Sequence, residues 1–129
     1  MEAKELRIGN IVNDTSGEDL PVTGIFKEDG FWIITVDGYE GSAHLDDVSP
    51  IPLTEEWLIK FGFTKEYFAD TGCNFWEFGD HTIFEYINEG IFKYDMLILT
   101  EGIEIKHVHQ LQNLYFALTQ KELEIKEND

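Results

Sequence analysis

The chain of 129 residues carries 26 acidic side chains against 9 basic ones, a formal net charge of −17 that disfavours direct contact with nucleic acid or an anionic membrane. Hydrophobic residues make up 43% of the chain, which excludes a disordered acidic tail, and no run approaches the roughly 20 apolar residues of a membrane span. A single cysteine excludes an internal disulfide framework, so we expect a soluble, cytoplasmic protein of one domain.

The first half of the chain has the pattern of short β-strands separated by turns. Runs rich in β-forming residues cover 6–12, 20–26, 31–36 and 43–48, and the last of them ends before Pro50 and Pro52. Asp29-Gly30 predicts a tight hairpin between the second and third runs, because glycine accepts the positive φ of primed turns. Four short strands within residues 1–50 predict a small, curled, SH3-like sheet.

A helix is predicted near residues 54–62. Thr54 is a typical N-cap, and Gly62 is a typical stop just after the last turn. Between them, the spacing of the apolar residues places one stripe on the face that would cover the sheet. The stripe consists of Trp57, Leu58 and Phe61.

The second half predicts an antiparallel β-meander followed by a second helix. Strand runs cover 73–78, 81–87 and 91–99, and 103–106 alternates in the same way. Apolar residues at helical spacing predict a helix over 107–119, and 121–126 has the alternation of a short final strand. The predicted fold class is α+β, mostly antiparallel β. We predict one domain over 1–129, with candidate subdomains 1–50 and 51–129.

The negative charge has two interpretations. It keeps a small protein soluble, or its carboxylates imitate phosphates and capture a basic, nucleic-acid-binding partner. Residues 1–50 carry 11 acids and 3 bases, and residues 51–129 carry 15 acids and 6 bases, so the charge is not confined to a tail. Acidic pairs supply the local density that a phosphate mimic requires. The candidate partner-binding residues are Glu18, Asp19, Asp46 and Asp47.

The chain is also rich in aromatic residues, with ten Phe, five Tyr and three Trp. Most of them are expected in the core. Phe31-Trp32 and the run 75–78 nevertheless place rings on both faces of a strand, so some rings must leave a one-sided core and could line a ligand pocket. Trp32 and Trp76 are the candidate pocket residues.

No residue pattern identifies a reaction. None of the serines stands in a G-x-S-x-G elbow, and no glycine-rich phosphate-binding motif occurs. Cys73, close to aromatic residues, is typical of a small core side chain. His107 and His109 form an H-x-H pair, but no second cluster stands at the spacing of metal ligands. We therefore predict a protein that is not an enzyme, with no catalytic residues, no metal and no cofactor.

Three blocks of the sequence resemble a known family: LRIGN at 6–10, PIPLTEEWLIKFGF at 50–63 and VHQLQNLYFALT at 108–119. The family comprises small, functionally uncharacterised acidic proteins of Bacteroides-type bacteria and their prophages. One departure is Gln120, which stands where a glycine usually follows the helix-ending Leu-Thr. The resemblance implies a phage or mobile-element setting, and it implies no activity and no site residues.

Together these observations predict a non-enzymatic, phage- or prophage-type protein that binds a host protein, such as an acidic inhibitor of a nucleic-acid-handling or defence factor. The partner would be a host or phage protein with a basic surface. The alternative is a protein that binds or sequesters a small, nucleotide-like molecule in an aromatic pocket. Arg7 is the only arginine, which argues against a phosphorylated ligand. The oligomeric state stays open, with a homodimer as one option.

Overall fold

The computed structural model describes residues 1–14, 16–38, 43–68, 73–98 and 101–126. These ranges contain two antiparallel sheets, two α-helices, and 3-10 turns at Ala3–Glu5 and Leu45–Asp47. The strands are β1 (Ile11–Asn13), β2 (Asp19–Glu28), β3 (Phe31–Val36), β4 (Ala43–His44), β5 (Thr64–Phe68), β6 (Cys73–Phe78), β7 (His81–Asn88), β8 (Ile91–Ile98) and β9 (Glu101–Glu104). The helices are α1 (Glu55–Lys60) and α2 (Val108–Thr119). Neither helix of the described ranges is long and apolar enough to cross a membrane. The predicted α+β class is confirmed.

The chain forms two compact units. The first contains Met1–Pro52 and His107–Glu122, and the second contains Leu53–Lys106 and the segment that starts at Leu123. Helix α2 therefore belongs to the first unit, whereas a division at residue 50 would place it in the second. The prediction of a single domain over 1–129 stays a prediction.

The first unit is built on a curled four-stranded sheet with the order β1-β2-β3-β4. Asp29 and Gly30 join β2 to β3 with φ values of 51° and 84°, the geometry of a two-residue primed turn that Asp-Gly favours. One face of the sheet covers an apolar core. The fully or nearly fully buried core residues are Leu6, Val12, Val22, Ile34, Val36 and Val48.

Two strands of the first unit are shorter than predicted. The run 6–12 becomes a strand only at Ile11, because Gly9 has a φ of 98°, which breaks an extended chain. The run 43–48 pairs as a strand only at Ala43 and His44, and the chain then closes into the 3-10 turn at Leu45–Asp47. The second of these departures opens the cleft described below.

The second unit is a five-stranded meander with the order β5-β6-β7-β8-β9, in which every pair is antiparallel. Helix α1 begins after Thr54, whose hydroxyl oxygen accepts a hydrogen bond from the amide of Trp57 at 3.4 Å, as an N-cap does. The helix near 54–62 is thus confirmed. The most deeply buried side chains of this unit are Leu58, Phe61, Trp76, Ile83 and Met96.

Helix α2 confirms the prediction of a helix over 107–119, and it uses buried polar groups as well as its apolar stripe. The side chain of Gln112 accepts a hydrogen bond from the amide of Ile11 at 2.8 Å and donates one to the carbonyl of Gly9 at 3.1 Å. It thus supplies hydrogen-bond partners to backbone groups at the start of β1. The helix ends at Gln120, which adopts the left-handed conformation at φ 62° that a glycine usually supplies. The predicted final strand is wrong, because residues 121–126 form no strand.

Candidate functional site

The end of the β2–β3 hairpin exposes three aromatic side chains. Phe26, Phe31 and Trp32 are 42%, 59% and 42% exposed. In the hairpin register Trp32 lies opposite Lys27 and shares a face with the buried Ile34, whereas Phe26 and Phe31 lie on the other face. Rings therefore occupy both faces of β3 at this end of the hairpin, as its sequence predicts.

A cleft of about 190 Å³ lies beside these rings, at the point where β4 parts from β3. Strand β4 pairs with β3 through Ala43 and His44 only, and Leu45–Asp47 then turns away from the sheet. The His44 ring meets the Phe31 ring edge to face, with 5.2 Å between the ring centroids. We name this space the β3–β4 cleft. It is lined by Gly30, Phe31, Trp32, His44, Leu45 and Asp46.

A second cavity, of about 390 Å³, also touches Trp32. Its volume falls within the range of about 300–1,000 Å³ that is usual for small-molecule sites. Trp32 and Leu45 line both this cavity and the β3–β4 cleft, so one tryptophan borders two concave surfaces of the first unit. The remaining wall is the N-terminal segment, formed by Met1, Glu2, Ala3 and Lys4.

The four candidate acids all lie in the first unit, but they take different positions. Asp46 lines the β3–β4 cleft, and Asp47 is exposed in the same 3-10 turn. Asp19 accepts a hydrogen bond from the side chain of Asn13 at 2.9 Å, and Glu18 is exposed just before β2. The structure therefore brings one candidate acid, Asp46, together with one candidate pocket residue, Trp32.

Trp76, the other candidate pocket residue, is a core side chain of the second unit. Its ring is 1% exposed, and its indole Nε1 donates a hydrogen bond to Oε1 of Glu85 at 3.4 Å. The side chain of Cys73, predicted to be a small core residue, lies outside the described part of the chain.

Glu85 is a buried carboxylate that the sequence analysis did not single out. It is 6% exposed, and its carboxylate accepts hydrogen bonds from Nδ2 of Asn74 at 2.9 Å and from the hydroxyl of Tyr94. Burial and the nearby Glu85 charge raise the pKa of Tyr94 to about 12. The available signal was the alternation of β7, in which Glu85 follows the buried Ile83 at a spacing of two residues and so shares its face of the strand.

His107 and His109 lie at the start of α2 with their rings stacked, 5.6 Å between centroids. His109 is 1% exposed, and burial and the neighbouring His107 lower its pKa. Neither of its ring nitrogens hydrogen-bonds to another described residue, and the nearest carboxylate oxygen, Oε1 of Glu5, is 4.0 Å from Nε2. In the described ranges, no three His, Cys, Asp or Glu side chains form a group that could hold a metal ion.

No protein-family model, no curated protein and no solved structure matches this chain.

Proposed function

We propose that this chain is a non-enzymatic interaction protein of phage or prophage type that binds a host protein with a basic surface. The observation that carries the proposal is the β3–β4 cleft, which is lined by the partly exposed Phe31 and Trp32 together with Asp46. Aromatic side chains in a partly open pocket are the residues on which binding energy concentrates at protein interfaces.

The exposed rings supply the affinity. Covering a large apolar side chain contributes about 1.5–3 kcal/mol, and Phe26, Phe31 and Trp32 each retain roughly half of that gain for a partner. A group of exposed aromatic residues beside a concave surface is also uncommon on a protein that binds nothing there.

The charge supplies the selectivity. A net charge of −17 attracts basic proteins and repels acidic ones, and this long-range attraction raises the rate of association. A surface that has evolved to bind phosphates accepts carboxylates for the same electrostatic reason. An inhibitor of a nucleic-acid-handling or defence factor is therefore the form of interaction protein that fits this chain best.

The test is a pull-down with the tagged protein from a lysate of a Bacteroides-type bacterium, washed at low salt and then at about 1 M salt, where the screening length falls to about 3 Å. We expect a basic protein that is retained at low salt and released at high salt. Trp32→Ala should lose it, and Tyr67→Ala, which removes an even more exposed ring from β5, should keep it. A captured protein that stays bound at high salt, or equal capture by the two variants, would contradict the proposal.

The second cavity supports an alternative, a small-molecule binder. Its volume of about 390 Å³ suits a nucleotide-sized ligand, and Trp32 offers a ring on which a base could stack. The only basic side chain among its lining residues is Lys4, so a nucleoside fits better than a triphosphate. Thermal unfolding with a panel of nucleosides and nucleotides tests this alternative. The alternative requires that at least one compound raises the Tm of the wild type and that Trp32→Ala abolishes the rise. If no compound of the panel changes the Tm, the alternative is refuted.

A further inference from the structure

We infer that the β3–β4 cleft is a pocket for one arginine side chain, with the guanidinium beside the aromatic lining residues and paired with Asp46. The inference rests on the proposed function, since the arginine belongs to the basic partner, and it specifies what that partner must present.

The size of the cleft selects a single side chain. A volume of about 190 Å³ is below the range of about 300–1,000 Å³ that is usual for small-molecule sites. A cleft of this size suits one side chain better than a drug-sized ligand. The cleft can therefore seat part of a protein partner but not a whole nucleotide.

The chemistry of the walls selects a cation. The lining residues include Phe31, Trp32 and Asp46, and none of them is a lysine or an arginine. Aromatic faces attract cations, and a carboxylate repels phosphates and other carboxylates. Among the described residues, Asp46 has no ion-pair partner within the chain, so its charge is available to a ligand.

The shape of the guanidinium selects arginine over lysine. A guanidinium is planar, so it can stack on a ring and at the same time offer two parallel N–H donors to a carboxylate. It is also more weakly hydrated than an ammonium, which lowers the cost of leaving water. The surroundings of Trp32 already accommodate one cation, because Nζ of Lys27 lies 5.8 Å from the centroid of the indole ring, at the outer limit of a cation–π contact.

The test is a titration of the ¹⁵N-labelled protein with N-acetyl-arginine amide, followed by NMR. We expect saturable shifts of the Trp32 indole N–H and of the Gly30 amide, both of which lie at the cleft. The neutral isostere N-acetyl-citrulline amide should bind about tenfold more weakly, because it keeps the shape and loses the charge. N-acetyl-lysine amide should also bind more weakly than the arginine compound.

Asp46→Asn supplies the residue-level test, and Asp47→Asn is its matched control in the same 3-10 turn. Both side chains are exposed, so both variants should fold as the wild type does. Asp46→Asn should weaken arginine binding by up to about fivefold, and Asp47→Asn should leave it unchanged within error. Equal binding of citrulline or of the lysine compound, or equal effects of the two variants, would overturn the assignment.

The same two variants separate this inference from the proposed function. If the pull-down captures a basic partner that Asp46→Asn and Asp47→Asn bind equally well, the arginine pocket is refuted and the proposed function stands. If capped arginine binds at the cleft while no basic partner is captured, the pocket stands and the proposed function fails.

Discussion

Replacing Glu85 with alanine should destabilise the second unit by about 2–4 kcal/mol, because the change leaves buried donors without an acceptor. The carboxylate of Glu85 accepts hydrogen bonds from Asn74 at 2.9 Å, from Trp76 at 3.4 Å and from the hydroxyl of Tyr94. Trp76 and Tyr94 are only 1% and 4% exposed, so water does not readily replace the lost oxygen atoms.

The magnitude follows from counting the donors that lose their acceptor. Each buried donor left unsatisfied costs about 1–3 kcal/mol, and Trp76 and Tyr94 are two such donors. Removing a buried carboxylate offsets part of this cost, since its own desolvation is relieved. The change also removes a carboxylate near Lys65, but this adds little. Nζ of Lys65 lies 3.9 Å from Glu85 and only 3.2 Å from Glu55, which stays as its partner. Glu85→Gln keeps one acceptor oxygen and should lose about half as much.

Urea unfolding followed by tryptophan fluorescence measures the effect, since Trp57 and Trp76 both belong to the second unit. With a slope of about 2 kcal/mol per molar urea, the expected loss shifts the midpoint by about 1–2 M. The matched control is Glu77→Ala, an exposed glutamate in β6, which should change stability by less than about 0.5 kcal/mol. If Glu85→Ala is as mild as Glu77→Ala, the reasoning from buried donors is refuted.

Two further predictions concern pH and buried titratable groups. The pKa of His109 is lowered in the folded protein by burial and by His107, so stability should be full above the unfolded value of about 6.5 and should fall as the pH drops below it. Urea unfolding at about pH 7.5 and pH 5.5 should show a larger loss for the wild type than for His109→Met, and parallel losses would contradict the assignment. The pKa of Tyr94 is raised to about 12, so its contribution should be present below the unfolded value of about 10 and be lost as the pH rises from 10 towards 12. Between about pH 9 and pH 11, Tyr94→Phe should therefore lose less stability than the wild type, and an equal loss would count against the raised pKa.

The turns and caps could be predicted from sequence because their causes are local. Asp29 and Gly30 both adopt positive φ, which the short-range Asp-Gly pattern predicts. Thr54 caps α1 through its own hydroxyl, three residues from the amide that it satisfies. In each case the residues that determine the structure are close together in the chain.

The cleft could not be predicted, because its cause is the path of the chain between distant residues. Trp32 and Asp46 share a cleft only because β4 stops after His44 instead of continuing along β3. Asp46 and Asp47 are a local sign of that stop, since aspartate is depleted in strands and common in turns, but the pattern of 43–48 does not show which distant residues the turn meets. Glu85 is the opposite case, because the alternation of β7 places it on the same face as the buried Ile83. A glutamate is rarely buried, so the pattern did not mark it as a core residue.

The position of the acids bears on the two interpretations of the charge. Glu18 and Asp47 are exposed and line neither the β3–β4 cleft nor the second cavity, so their charge fits both solubility and a proposed long-range attraction of a basic partner. Asp46 differs from them because it lines a cleft together with Phe31 and Trp32, where the proposed arginine would bind. A phosphate mimic that worked by charge density alone would lose little when one acid is neutralised. A large effect of Asp46→Asn beside a small effect of Asp47→Asn would therefore show that recognition depends on one placed carboxylate and its aromatic walls, with the remaining charge acting only at a distance.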